Sequence, residues 1–173
     1  MNETGRLYLC ATPIGNLGDI TCRAVEMLRT ADLIAAEDTR HTRGLLAHYD
    51  IHTPMTSYHE HNKDAKGPEL IARMQAGETI VCVSDAGLPG IADPGGDLAR
   101  RAVAAGLPVT PLPGANAALS ALICAGLPLE GFTFVGFLPR KEKKRREVLA
   151  RVAASPATLI FYEAPHRLRE TLD

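Results

Sequence analysis

Two hydrophobic rhythms alternate along this chain. Short runs such as Leu7–Ala11, Leu33–Ala36 and Ile80–Val83 are apolar nearly throughout, the pattern of strands covered on both faces. The stretches Arg23–Thr30, Thr42–His48, Pro68–Gln75 and Leu98–Ala104 instead carry apolar residues at helical spacing. With further strands at Met55–Tyr58 and Val109–Leu112, the alternation predicts βαβ units building an α/β, doubly wound, mostly parallel five-stranded sheet.

The pattern changes after Pro111-Leu-Pro-Gly-Ala-Asn116. An alanine-rich helix, Ala117–Ala125, leads into a second series: a strand at Phe132–Phe137, a charged helix at Lys141–Val152, a strand at Thr158–Tyr162 and a helix from Pro165. This predicts two domains, residues 1–112 and residues 113–173, with the alanine-rich helix as connector. The second is too short to close its own core, because two strands leave a sheet with unpaired edges, so it is expected to be a truncated α/β domain or one covered by partners.

In an open parallel sheet, ligands bind beyond the carboxyl ends of the strands. Three such ends carry glycine-containing loops: Thr12-Pro-Ile-Gly-Asn-Leu-Gly18, Ser84–Gly95 and Pro113-Gly-Ala-Asn116. Any one of them alone reads as an ordinary turn with helix caps, Asp19 and Asp97 among the caps. Three together point to a shared crevice, and the twelve residues of Ser84–Gly95 exceed the usual connection. Neither Gly-x-Gly-x-x-Gly nor Gly-x-x-x-x-Gly-Lys-Ser/Thr occurs and the loops hold few cations, which argues against a dinucleotide or polyphosphate. Gly-x-Ser-x-Gly is missing too, removing the α/β-hydrolase elbow.

Apolar residues make up 46% and charged residues 23% of the 173, which fits a globular chain and excludes a disordered one. A net charge of −1 confines any nucleic-acid contact to a local patch, and Arg140-Lys-Glu-Lys-Lys-Arg-Arg-Glu147, with six cations against two acids, is one. Taken alone that run reads as a solvated helix face. Cys10, Cys22, Cys82 and Cys124 are scattered without a Cys-x-x-Cys pair and are expected to be buried, reduced thiols. No signal peptide or membrane span is predicted, so a soluble, cytoplasmic protein is expected.

Thr12-Pro-Ile-Gly-Asn-Leu-Gly-Asp-Ile20, Ala36-Glu-Asp-Thr-Arg-His-Thr-Arg43, Ser57-Tyr-His-Glu-His-Asn62, Val83–Gly95 and Phe161-Tyr-Glu-Ala-Pro-His-Arg167 resemble, in order, the motifs of the bacterial ribosomal RNA small subunit methyltransferase I family. The resemblance implies a two-domain tetrapyrrole-methylase fold and S-adenosylmethionine as cofactor. It also implies methylation of the 2′-hydroxyl of a cytidine ribose in 16S rRNA within the small ribosomal subunit, and a homodimer. Family members continue beyond the length of this chain, which places the missing part in the second domain. By motif position, Pro13, Ser84, Asp85, Ala86, Ile91, Asn116, Ala117 and Tyr162 are the implied cofactor-binding residues, in a cleft between the domains.

A cofactor that carries its own activated methyl leaves the protein mainly the task of alignment, aided by a base or a local positive field for the weakly acidic hydroxyl. Asp38 and His59, each just past the end of a predicted strand, are the candidate proton acceptors, with Arg40 holding an adjacent phosphate. Asp38 reads equally well as a helix N-cap. His59-Glu-His61 lacks the company of a zinc cluster, so no metal is expected and an exposed polar loop is the simpler reading. Arg40, Arg43, Lys141, Lys143, Lys144 and Arg145 are the candidate RNA contacts. With aromatic residues at 5%, shape and phosphate contacts should dominate over stacking. Two alternatives stay open: a tetrapyrrole or other small-molecule methyltransferase of the same fold, and a non-catalytic RNA-binding fragment.

Overall fold

The computed structural model describes residues 4–172. The chain divides into two compact units, Met1–Asn116 and Ala117–Asp173. In the first, strands β1 (Arg6–Cys10), β2 (Leu33–Ala36), β3 (Met55–Ser57), β4 (Thr79–Val83) and β5 (Val109–Leu112) alternate with helices α1 (Cys22–Thr30), α2 (Thr39–His48), α3 (Lys63–Gln75) and α4 (Gly95–Ala104). The five strands form one sheet in the order β3-β2-β4-β1-β5, and every pairing is parallel.

Alternation along each strand sends side chains to opposite faces, and each face meets its own pair of helices. Leu7, Leu33, Ala35, Ile80 and Cys82 pack with Leu70 and Met74 of α3 and with Leu98 and Ala102 of α4. Cys10, Ile34, Ala36, Val81 and Val83 pack with Ala24 and Leu28 of α1 and with Leu46 of α2. The chain therefore leaves β1 toward one face and β4 toward the other. Because β1 and β4 are neighbours, this reversal makes their carboxyl ends the switch point of the sheet, the edge at which open parallel sheets bind ligands. Pro111, with no N–H to donate, is tolerated because β5 is an edge strand paired only to β1.

Several local expectations need correction. α3 starts at Lys63, and Pro68 lies inside it rather than at its start. The apolar spacing could not register the polar first turn, Lys63-Asp-Ala-Lys66. Asp19 and Asp97 are not caps. α1 is capped by the Thr21 hydroxyl, which accepts the Ala24 N–H at 3.1 Å, while Asp19 sits in a short 3-10 turn capped by Asn16. Asp97 lies in the first turn of α4, behind Pro94. Only Cys10 and Cys82 are buried; Cys22 and Cys124 are exposed, on helices whose apolar stripes leave them outside.

The second unit holds α5 (Ala117–Cys124), β6 (Phe132–Phe137), α6 (Glu142–Val152), β7 (Thr158–Tyr162), a 3-10 turn at Pro165–Arg167 and α7 (Leu168–Leu172). β6 and β7 pair in parallel as a two-stranded sheet, with a register irregularity between Phe134 and Gly136. Gly136 adopts φ +76° there, a conformation that other residues reach only with strain. Tyr162 packs edge-on against Phe134 and Phe137. Among the described residues no helix is long and apolar enough to cross a membrane.

Candidate functional site

The exits of β1, β4 and β5 meet at one edge of the first unit. Thr12 and Gly87 exchange backbone hydrogen bonds, each N–H donating to the other's carbonyl at 3.0 Å. The Thr12 hydroxyl donates to the Ser84 carbonyl at 3.2 Å, and the Ser84 hydroxyl donates to the Gly87 carbonyl at 3.2 Å. The third loop closes in behind them. A Cβ on Gly114 would stand 2.9 Å from the Ala11 Cβ, and one on Gly87 would stand 3.5 Å from the Ala115 carbonyl oxygen. The approach of the segments thus depends on glycine for space at Gly114, whereas at Gly87 it is the φ of +80° that favours glycine.

A second stitch joins β2 to β4. The Glu37 N–H donates to the Val83 carbonyl at 3.2 Å, extending the ladder past the strands. Beyond it the side chains cross over: the Asp85 N–H donates to a Glu37 carboxylate oxygen at 3.2 Å, and the Asp38 N–H donates to the Asp85 carboxylate at 3.1 Å. Asp38 in turn caps α2, its carboxylate accepting the Arg40 N–H at 2.8 Å and pairing with the Arg40 guanidinium at 2.6 Å.

These stitched exits enclose a cavity of about 450 Å³, within the range of small-molecule sites. One side is formed by Thr12, Pro13, Ser84 and Asp85, the other by Arg40, His41 and Leu45 of α2. Gly15 and Gly44 also border it, and a side chain at either would meet nothing within 4 Å. The first side is rich in acceptors. Thr12 and Ser84 commit their hydroxyl protons to the loop carbonyls, leaving lone pairs, and Asp85 contributes a carboxylate. Such a surface suits a ligand with hydroxyl donors or a positive charge and does not suit a polyphosphate.

Electrostatics separate the nearby acids. Burial, with the charges of Asp85, Asp93 and Asp38, raises the Glu37 carboxyl above its ordinary value despite the hydrogen bond from Asp85 N–H. Burial likewise raises Asp93, whose carboxylate accepts the N–H groups of Gly90 and Gly95 and so shapes the long loop. Asp38 goes the other way, since its hydrogen bonds with the Arg40 side chain and backbone hold it well below the carboxylate range. Its geometry is that of a helix cap and an ion-pair partner. Burial drives the Cys10 thiol up to about 12, leaving it inert.

The remaining candidates are dispersed. Ala86, exposed Ile91 and Asn116 belong to the loops of the first unit but do not border the cavity. Ala117 and Tyr162 are in the second unit, where the Tyr162 hydroxyl oxygen accepts the Ala118 N–H at 3.2 Å. His59 lies outside the cavity in a turn closed by Asn62, whose side-chain carbonyl accepts the His59 N–H at 2.8 Å. The His59 Nδ1 is buried without a hydrogen-bond partner, and the His59 and His61 rings meet edge to face with no metal-binding group among the described residues. Arg43, Lys141, Lys143 and Lys144 are exposed, whereas Arg145 is partly covered. The sequence signal for Glu37 is its position directly after a fully buried strand, on the ligand edge of the sheet.

Ribosomal RNA small subunit methyltransferase I of Halalkalibacterium halodurans is 57% identical to this chain over 172 residues, covering 99% of the chain and 60% of that protein. The protein of the same name from a Synechocystis species is 55% identical over 168 residues, covering 97% and 60%. This chain thus spans about 60% of the length of these curated relatives. Uroporphyrin-III C-methyltransferase from Thermus thermophilus, solved in complex with S-adenosyl homocysteine, superposes with a TM-score of 0.63 at 22% identity, over 97% of this chain and 76% of that one. The family model of tetrapyrrole (corrin/porphyrin) methylases matches residues 6–173, and the chain belongs to that family.

Proposed function

We propose that this chain is the S-adenosylmethionine-binding part of a methyltransferase that acts on the 2′-hydroxyl of a cytidine ribose in 16S rRNA. The observation that carries the reading is the acceptor-lined cavity where the exits of β1, β2 and β4 are stitched together. Its volume, its hydroxyl and carboxylate lining and its lack of a phosphate cradle fit a nucleoside with a cationic sulfur. Relatives that carry the ribosomal RNA methyltransferase name support the acceptor class.

Bound there, S-adenosylmethionine would supply the activated methyl on its sulfonium. Pro13, Ser84 and Asp85 hold it from the cavity side, and Asp85 orients hydroxyl donors. Ala86, Ile91, Asn116, Ala117 and Tyr162 join them by their place in the family motifs. Arg40 borders the same cavity with its charge fixed by Asp38, so it steadies an acceptor phosphate and favours negative charge developing on the attacking oxygen. The depressed carboxyl of Asp38 makes it a poor proton acceptor, and His59, which lies outside the cavity, keeps that role only by its place in the motif. Arg43, Lys141 and the α6 cations Lys143, Lys144 and Arg145 bind the RNA backbone. The exposed apolar residues Leu127, Leu129, Phe132 and Phe137 are available to a second copy in a homodimer.

Labelled cofactor offered with unmodified small ribosomal subunits tests the reading. A 2′-O-methyl removes the hydroxyl that attacks the adjacent phosphate, so label should survive alkaline hydrolysis in a dinucleotide containing cytidine. Transfer to a tetrapyrrole precursor with none to RNA would establish the small-molecule alternative instead.

A further inference from the structure

Glu37 and Asp85 present an arrangement that packing alone does not require. Glu37 accepts the Asp85 N–H and Asp85 accepts the Asp38 N–H, bonds that need only acceptors, and glutamine or asparagine would provide these without charge. Instead two carboxylates are held side by side at a half-buried edge, with Asp93 close enough to disfavour further the charge on Glu37. The adjacent cation makes no direct bond to either of them: Arg40 directs both of its side-chain bonds to Asp38, at 3.1 and 2.6 Å, and acts on Asp85 only through space. Among the described residues no ion pair joins Glu37 or Asp85 to any cation. The cavity face beside them adds acceptors and no spare hydroxyl donors, since Thr12 and Ser84 direct their protons into the loops.

We infer that Glu37, which does not itself border the cavity, is a positioning residue. It fixes the Asp85 backbone and, with Asp85, imposes a negative potential that selects a cationic sulfonium cofactor over its neutral thioether product. This rests on the reading of the cavity as the cofactor site. Charge at this edge is unfavourable for the free fold and becomes favourable when a positive ligand enters. The same preference lowers affinity once the methyl and its charge have left, so it assists release of the product.

The test is calorimetry on the whole 173-residue chain and its Glu37→Gln variant, which keeps an acceptor for the Asp85 N–H and removes only the charge. Three probes are titrated: S-adenosylmethionine, the neutral S-adenosylhomocysteine, and sinefungin, which carries an amine at the methyl position. The substitution should weaken S-adenosylmethionine and sinefungin about fivefold while leaving S-adenosylhomocysteine within about twofold. Equal loss for all three would make Glu37 a purely structural residue and overturn the inference, as would no change for any. A wild-type chain that binds none of the three would remove the cofactor reading itself, which keeps the two failures apart. A thermal melt of the variant no lower than wild type excludes misfolding as the cause.

Discussion

Glu37 also leaves a trace in the pH dependence of folding. Its carboxyl is raised in the folded chain, so the folded state holds this proton more tightly than the unfolded one. The stabilising contribution is complete below the ordinary value of 4.5 and is lost as pH rises through the folded value. Glu37→Gln should therefore match wild type near pH 4 and exceed it at pH 7. Urea denaturation at the two pH values measures this. Tyr58 is a second residue with a definite role. Only 1% exposed, it donates to Asp97 at 2.8 Å, and Asp97 also accepts from Arg101 at 2.6 Å, tying the end of β3 to the first turn of α4. Tyr58→Phe leaves that carboxylate one donor short and should cost about 1–2 kcal/mol, read from the same denaturation curves. At this scale the sequence was legible for chemistry type and mute about partners. Asp38 could be read as a cap from its place before a helix. The bond from Asp85 to Glu37 spans 48 positions, and no local pattern announces it.

Secondary-structure elements were far more readable. β2, β5, β6 and β7 have the boundaries that the sequence pattern predicts, although only β2 is buried along its whole length. The apolar spacing predicts late starts for α2, α3 and α4, since their first turns, polar in α2 and α3 and glycine-rich in α4, leave no apolar mark. The long loop before α4 shows how an element boundary can carry function. A Cβ on Gly95 would stand 2.9 Å from the Gly90 backbone nitrogen, the Pro89 Cβ and an Asp93 carboxylate oxygen at once. Gly95→Ala should therefore open residues 84–95 and weaken S-adenosylhomocysteine at least tenfold, while the melting temperature falls by only a few degrees. Gly106→Ala is the control: at φ +69° with nothing within 4 Å of its Cβ it should cost about 1 kcal/mol, seen in the melt, and leave binding unchanged.

On the scale of the whole molecule, the net charge of −1 conceals a segregation of charge. The acidic group lies at the cavity edge of the first unit, while α6 in the second unit has no buried residue and displays Lys143 and Lys144 to solvent. If α6 meets RNA through phosphates, Lys143→Glu combined with Lys144→Glu should weaken binding to small-subunit RNA. It should also flatten the dependence of log K on log salt by about 0.7–0.9 for each phosphate that is no longer neutralised. Filter binding at several salt concentrations would show it. The convergence of the β1, β2 and β4 exits on one cavity is the claim on which the rest depends, and amide chemical-shift mapping of the labelled chain during titration with S-adenosylhomocysteine tests it most directly. Saturable shifts clustered at residues 12–17, 40–45 and 84–85 are predicted. Saturable shifts confined to residues away from these three segments, or no shifts at millimolar ligand, would contradict it.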